Sequence, residues 1–177
     1  MSQITLRLLK HPSKWLLGFL MVGLVLAGLA FYQDYGISSD EAVERNNGII
    51  TLRYVGDRLS IGRIMRDPVI QNNAYLPRLQ EYFDRDYPVA FNLPAVALER
   101  LLGIGNDGDE RKIYFFRHLL TFLVNLVGVV AVYNLAKRRF DDWRMGLLAA
   151  TFLVLSPRFF AESFYNSKDV VFMSFFA

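Results

Sequence analysis

Two acidic segments hold the residues best suited to chemistry: Asp40-Glu41 in DYGISSDEAVERNNG and Asp169 in NSKDVVF. Carboxylates held at one membrane face could share a divalent cation, orient a donor phosphate through it, or take a proton from an acceptor hydroxyl. Helix capping accounts for the same residues without chemistry. Ser38-Ser39-Asp40-Glu41 matches the S-x-x-E capping box, with Ser38 as N-cap and Glu41 reaching back to it, and Asp40 favours the positive end of the helix. Asn166-Ser167-Lys168-Asp169 is a similar cap opening a last helix. Spacing leaves both readings open at each segment.

The cations divide in the same way. Arg158 and Glu162 stand four apart, the spacing of an ordinary helical ion pair, although Arg158 could instead meet a phosphate. Lys168 could contact a lipid phosphate or pyrophosphate, or extend its ammonium to the headgroups. Arg117 and His118 open an apolar stretch, where charge is costly unless it faces a cavity. A lone histidine there reads more readily as hydrogen-bonded inside a bundle than as a metal ligand. Gly103-x-Gly105-x-x-Gly108 fits the GxGxxG pattern but is expected to follow an interfacial helix and to open no helix, which sets it aside as a phosphate loop. Neither HExxH nor GxSxG occurs.

The elements that must position these groups are apolar. Of 177 residues, 53 % are hydrophobic and only 21 % charged, a mixture that leans toward a membrane protein and excludes intrinsic disorder. Cysteine is absent, which excludes a disulfide scaffold and a zinc-thiolate site. A net charge of +3 is too small to suggest a nucleic-acid binder.

Spans are predicted over residues 15–32, 113–136 and 145–164, the third broken near Ser156-Pro157, with an incomplete span from residue 170. Gly28-Leu29-Ala30 would suit signal cleavage, but the first apolar core exceeds the ~7–15 residues of signal peptides, so a retained anchor is expected. Arg7, Lys10 and Lys14 precede this span, and Lys137, Arg138 and Arg139 follow the second. The positive-inside rule therefore predicts a cytoplasmic N-terminus and an outer loop over residues 33–112. If Tyr87–Ile104 also spanned, the later charges would reverse that rule. The segment is read as an interfacial helix on the outer face. Two or three short helices are expected in the loop. One starts at Ser39 or Asp40 and passes through Gly48, while Asp67-Pro68 and Asn72-Asn73 mark a loop. The apolar run that stops at Ala177 is expected to belong to a longer polytopic protein.

In this order, the segments resemble the C-type polytopic glycosyltransferases that use lipid-phosphate sugars, especially protein O-mannosyltransferase and aminoarabinose-transferase relatives. The likeness rests on ISSDEAVERNNG after the first span, the Tyr-Pro element in DYPVAFNLPAVALERLLG, Arg117 in FFRHLL, the basic turn of AVYNLAKRRFDD, and LSPRFFAESFYNSKDVVFMSFF. It implies an all-α polytopic membrane protein, with residues 1–177 as the N-terminal part of one transmembrane glycosyltransferase domain and interfacial helices in its outer loop. The implied reaction moves a hexose or pentose from a polyprenyl-phosphate donor to a protein, lipid or glycan acceptor at the outer face of a bacterial inner membrane, assisted by Mg²⁺ or Mn²⁺. Asp40 would then be the base, Glu41 its neighbour, and Asp169 a second acidic contact, with Asp40 and Asp169 as metal carboxylates. Lys168, Arg158 and Arg117 would be the donor-phosphate contacts. Tyr87-Pro88-Val89 departs from the His-Pro-Pro or Lys-Pro-Pro of many relatives, which puts donor contact in that segment in doubt. Two other classes compete: a multi-span transporter whose pathway is lined by Arg117, Arg158 and Asp169, and a non-catalytic membrane scaffold in which both acidic segments are caps.

Overall fold

A computed structural model describes residues 12–177 apart from Pro88; Arg7 and Lys10, used in the charge argument, and Pro88 of the Tyr-Pro element lie outside the described residues. Those residues form helices and turns with no strand. The chain divides into two compact units, one of residues up to Gly36 with His118–Ala177, the other Ile37–Arg117.

In the first unit, α1 (Pro12–Phe31) contains an 18-residue window apolar enough to cross a membrane. Phe19 is 82 % exposed, so the chain itself does not cover this surface, which suits hydrocarbon better than water. Helix α6 (Glu110–Phe140), whose first residues count with the other unit, also qualifies. Its 31 residues reach ~46 Å, more than a ~30 Å hydrocarbon core needs. The third predicted span is two helices, α7 (Trp143–Leu155) and α8 (Pro157–Tyr165), bent by 71°. Pro157 does more than remove a donor: it occupies the first turn of α8, where Ser156 Oγ accepts from Phe159 N–H at 3.4 Å. Two helices are thus long and apolar enough to span, or three if the bent pair makes one span. Together they suggest a multi-pass membrane protein. The run from residue 170 is helical, as α9 (Asp169–Phe176).

This unit is held by close packing. Leu24, Phe122, Val129, Tyr133, Ala150 and Phe164 are buried together. Phe164 stacks on Tyr35 at 4.7 Å and on Phe122 at 5.1 Å, pairs worth ~0.5–1.5 kcal/mol beyond their area. At Gly28 a Cβ would overlap the Phe122 ring, so the small residue lets that ring seat against α1.

The second unit is built on α2 (Ser39–Arg58), which continues through Gly48 and is longer than the short helices expected. A glycine inside a helix costs ~1 kcal/mol relative to alanine. Here it admits a neighbour: a Cβ on Gly48 would lie 2.5 Å from the Asn92 carbonyl and 2.7 Å from Val96 Cγ2 on α5 (Asn92–Leu101). Asp67 and Asn73 do not mark a bare loop. They bracket the one-turn helix α4 (Pro68–Asn72), with Asp67 Oδ1 accepting from Val69 N–H at 2.9 Å, after another single turn, α3 (Gly62–Met65). A 3-10 turn, Leu79–Glu81, follows. Ile49, Leu52, Ile70 and Val96 form the apolar core.

The predicted interfacial helix over residues 87–104 shrinks to α5, too short to span a membrane. Its Asn92, Ala95, Val96 and Glu99 face is buried, leaving Leu98, Leu101 and Leu102 exposed. Those three apolar side chains are what remains of the interfacial face. The GxGxxG segment also needs a correction: Gly103, Gly105 and Gly108 all take positive φ in a loop that leads directly into α6. It follows a helix rather than a strand. Its polar groups are acidic, with Asp107 paired to Lys112 and Asp109 Oδ1 accepting from Arg111 N–H, so it offers no phosphate cradle.

Candidate functional site

The start of α2 separates its two carboxylates. Ser38 N–H donates to Glu41 Oε2 at 2.8 Å, the back-reaching bond of a capping box, and Glu41 is only 2 % exposed. Asp40 is exposed; Ser39 Oγ donates to its Oδ1 at 3.3 Å. The capping work therefore falls to Glu41, and the neighbouring carboxylate stays open to solvent at the positive end of a 20-residue helix.

Beneath this helix start lies a buried polar network that sequence reasoning did not identify as a site. Arg117 Nη2 donates to Asn92 Oδ1 at 2.7 Å, and Asn92 Nδ2 donates to Glu44 Oε2. The asparagine amide is thereby fixed at both ends, its oxygen on a cation and its nitrogen on an anion. Arg45 forms a fork on Glu99, with Nε to Oε2 at 3.1 Å and Nη2 to Oε1 at 2.6 Å. The Glu99 side chain has no solvent exposure. Burial works against the Arg45 charge, but the Glu99 bonds and negative charge outweigh it and hold the guanidinium above its ordinary pKa. Glu99, Glu41 and Glu44 all act electrostatically on Arg117, with Arg45 opposing them. Three carboxylates and two guanidiniums in a shared field tie α2 to α5 and to the first turns of α6.

A signal for this network did exist. Glu41, Glu44 and Arg45 share one helical face by i, i+3, i+4 spacing, and Asn92 and Glu99 lie seven apart on the face of Ala95 and Val96. Asn92 and Glu99 argue against a membrane span on composition alone, but their partners are distant in sequence, so local spacing could not pair them.

The second acidic segment behaves differently. Asp169 N–H donates to Asn166 Oδ1 at 2.9 Å, and Asn166 Nδ2 returns a bond to Asp169 Oδ2 at 3.1 Å. This reciprocal cap opens α9 and uses the Asp169 carboxylate, although the residue remains exposed. Lys168 is half-buried beside it. Arg158 Nε is 2.8 Å from Glu162 Oε1, the i,i+4 ion pair that spacing suggested. His118 is fully buried with Nδ1 3.1 Å from the Tyr32 carbonyl, which makes that nitrogen the donor and gives the bundle-histidine reading its partner. Asp40, Glu41 and Arg117 belong to the Ile37–Arg117 unit, whereas Arg158, Lys168 and Asp169 belong to the other.

Among the described residues, no group of three or more His, Asp and Glu side chains is arranged to hold a metal ion. The expected divalent cation gains no ligand set from this geometry, and no step below runs through one. Compared with protein-family models, with curated proteins and with solved structures, the chain matches none.

Proposed function

We propose that this chain supplies the first spans and the acidic outer loop of a membrane glycosyltransferase that moves a sugar from a polyprenyl-phosphate donor to an acceptor hydroxyl. The observation that carries the reading is the division of labour at the start of α2. Glu41 is buried and bonded into the helix start, while Asp40 stays exposed on a scaffold anchored by Arg45–Glu99 and Glu44–Asn92–Arg117. A base needs an accessible carboxylate on a rigid support, and a cap needs neither. The ordered likeness of ISSDEAVERNNG, FFRHLL and NSKDVVF to the lipid-phosphate glycosyltransferases supplies the reaction class.

In the proposed step, Asp40 accepts the proton of the acceptor hydroxyl as its oxygen bonds to the anomeric carbon. The bond from that carbon to the donor phosphate oxygen breaks, and its electron pair leaves with the polyprenyl phosphate. A donor with its lipid tail in the bilayer presents the sugar at the surface, where a carboxylate just beyond a span can reach it. Of the three phosphate contacts expected, Arg158 is paired with Glu162 and Arg117 is buried against Asn92. The reciprocal Asn166–Asp169 cap favours the non-catalytic reading for Asp169 taken alone.

The test is sugar transfer from a polyprenyl-phosphate donor by the full-length protein and its Asp40→Asn variant. Asparagine keeps the local shape and removes the base, so turnover should fall by ~10²-fold or more with an unchanged melting temperature. Near-normal turnover would refute the assignment.

A further inference from the structure

The C-terminal half of α2 borders a cleft of about 620 Å³, within the Ile37–Arg117 unit, that no step above uses. Arg53 holds one wall in place by donating to the backbone carbonyls of Asn73 at 3.3 Å, Leu76 at 2.9 Å and Pro77. Those carbonyls occupy its N–H donors, while its positive charge remains at the cleft wall. Tyr54 lines the cleft with the Arg58 guanidinium 5.9 Å from its ring centre. The remaining charged lining is balanced: Arg58 and Arg78 against Asp57 and Glu81, all four exposed, with Gln80 beside them. Among the described residues, the side chains of Asp57, Arg78 and Glu81 have no hydrogen bond or ion pair.

This combination discriminates among ligands. Two carboxylates oppose a phosphate, and two guanidiniums oppose a cation. A lining with this many polar groups does not suit a hydrocarbon tail. A sugar hydroxyl both donates and accepts, so it is served by carboxylates, guanidiniums and a carboxamide at once, while Tyr54, Ile50 and Leu79 offer apolar surface to the C–H faces of a ring. The volume lies in the range that encloses a small organic ligand.

We infer that this cleft binds a short neutral oligosaccharide. The assignment of that oligosaccharide as acceptor rests on the transferase reading. The cleft starts well down α2: Ile50 is ten residues from Asp40, ~15 Å along the helix, and Tyr54 lies a further turn away. An acceptor bound there must be extended to bring a hydroxyl to Asp40, which favours a glycan chain over a single sugar.

Binding is measurable without turnover, so failure here and failure of the transfer assay are separate results. Full-length protein in a detergent without a sugar headgroup would be titrated with maltotriose, mannotriose, chitotriose and, separately, inorganic phosphate. At least one trisaccharide should bind saturably, and Arg78→Ala and Asp57→Ala should each weaken it about tenfold, the loss of a hydrogen bond to a charged group. Both side chains are exposed and unbonded, so melting temperatures should hold; Glu81→Ala gives an independent third variant. Absence of saturable binding by all three trisaccharides, binding of phosphate alone, or trisaccharide affinity unchanged in all three variants would overturn the inference.

Discussion

The helix starts at Asp40 and Asp169 look alike in sequence and differ in what their carboxylates do. At α2, the residue after Asp40 reaches back to cap, and the aspartate is left exposed. At α9, Asp169 is itself the capping partner, bonded through both backbone N–H and side chain to Asn166. The supports differ as well. Glu44, Arg45, Asn92, Glu99 and Arg117 form a charged lattice under α2, whereas the α9 cap is local, closing over three residues. An acidic residue at a helix N-terminus thus says little by itself; what matters is whether a neighbour has taken over the cap.

The comparison can be broken outright by topology. The chain has no cysteine, so Asp40→Cys and Asp169→Cys can each be labelled alone in membrane vesicles. Both should react with an impermeant thiol reagent from the outer face only. Reaction of the two from opposite faces would place the acidic segments on different sides and remove any shared role.

The next largest effect should come from the lattice. Arg45→Met would strand Glu99, whose side chain is fully buried, at a cost of ~3–5 kcal/mol in thermal or denaturant unfolding. A change under 1 kcal/mol would mean that α2 is not anchored as described. At the other helix, Asn166→Ala should cost only ~1 kcal/mol, the ordinary value of a lost cap. A loss matching that of Arg45→Met would erase the contrast between lattice and local cap.

The smallest effect belongs to the exposed Asp107–Lys112 pair at the start of α6. The Lys112 hydrogen bond and the Asp109 backbone N–H hold the Asp107 carboxyl below its ordinary pKa. A lowered carboxyl contributes stability above its unfolded pKa and loses it as pH falls through the folded one. Since both side chains are exposed, Asp107→Asn should leave the neutral-pH melting temperature unchanged within error.

What could be read from sequence follows the range of the interactions. The apolar runs of α1 and α6 and the break at Pro157 are local features of hydropathy and backbone chemistry, and both caps close over three residues. The passage of α2 through Gly48 was legible, but the reason for that glycine, the approach of Asn92 and Val96 from another helix, was not. The buried face of α5 was hidden for a related cause. Glu99 finds Arg45 across 54 residues and Asn92 finds Glu44 across 48, separations that no periodicity encodes. The GxGxxG loop opens a helix because α6 begins at Glu110, three residues before the span predicted from Ile113.

The asymmetry between the two helix starts is tested most directly by comparing Asp40→Asn and Asp169→Asn in one sugar-transfer assay with the full-length protein. Both substitutions keep a side chain that can cap, so neither should move the melting temperature. Turnover should fall by ~10²-fold or more for Asp40→Asn and by about tenfold or less for Asp169→Asn. Equal losses, or near-normal turnover by the Asp40 variant, would contradict the account.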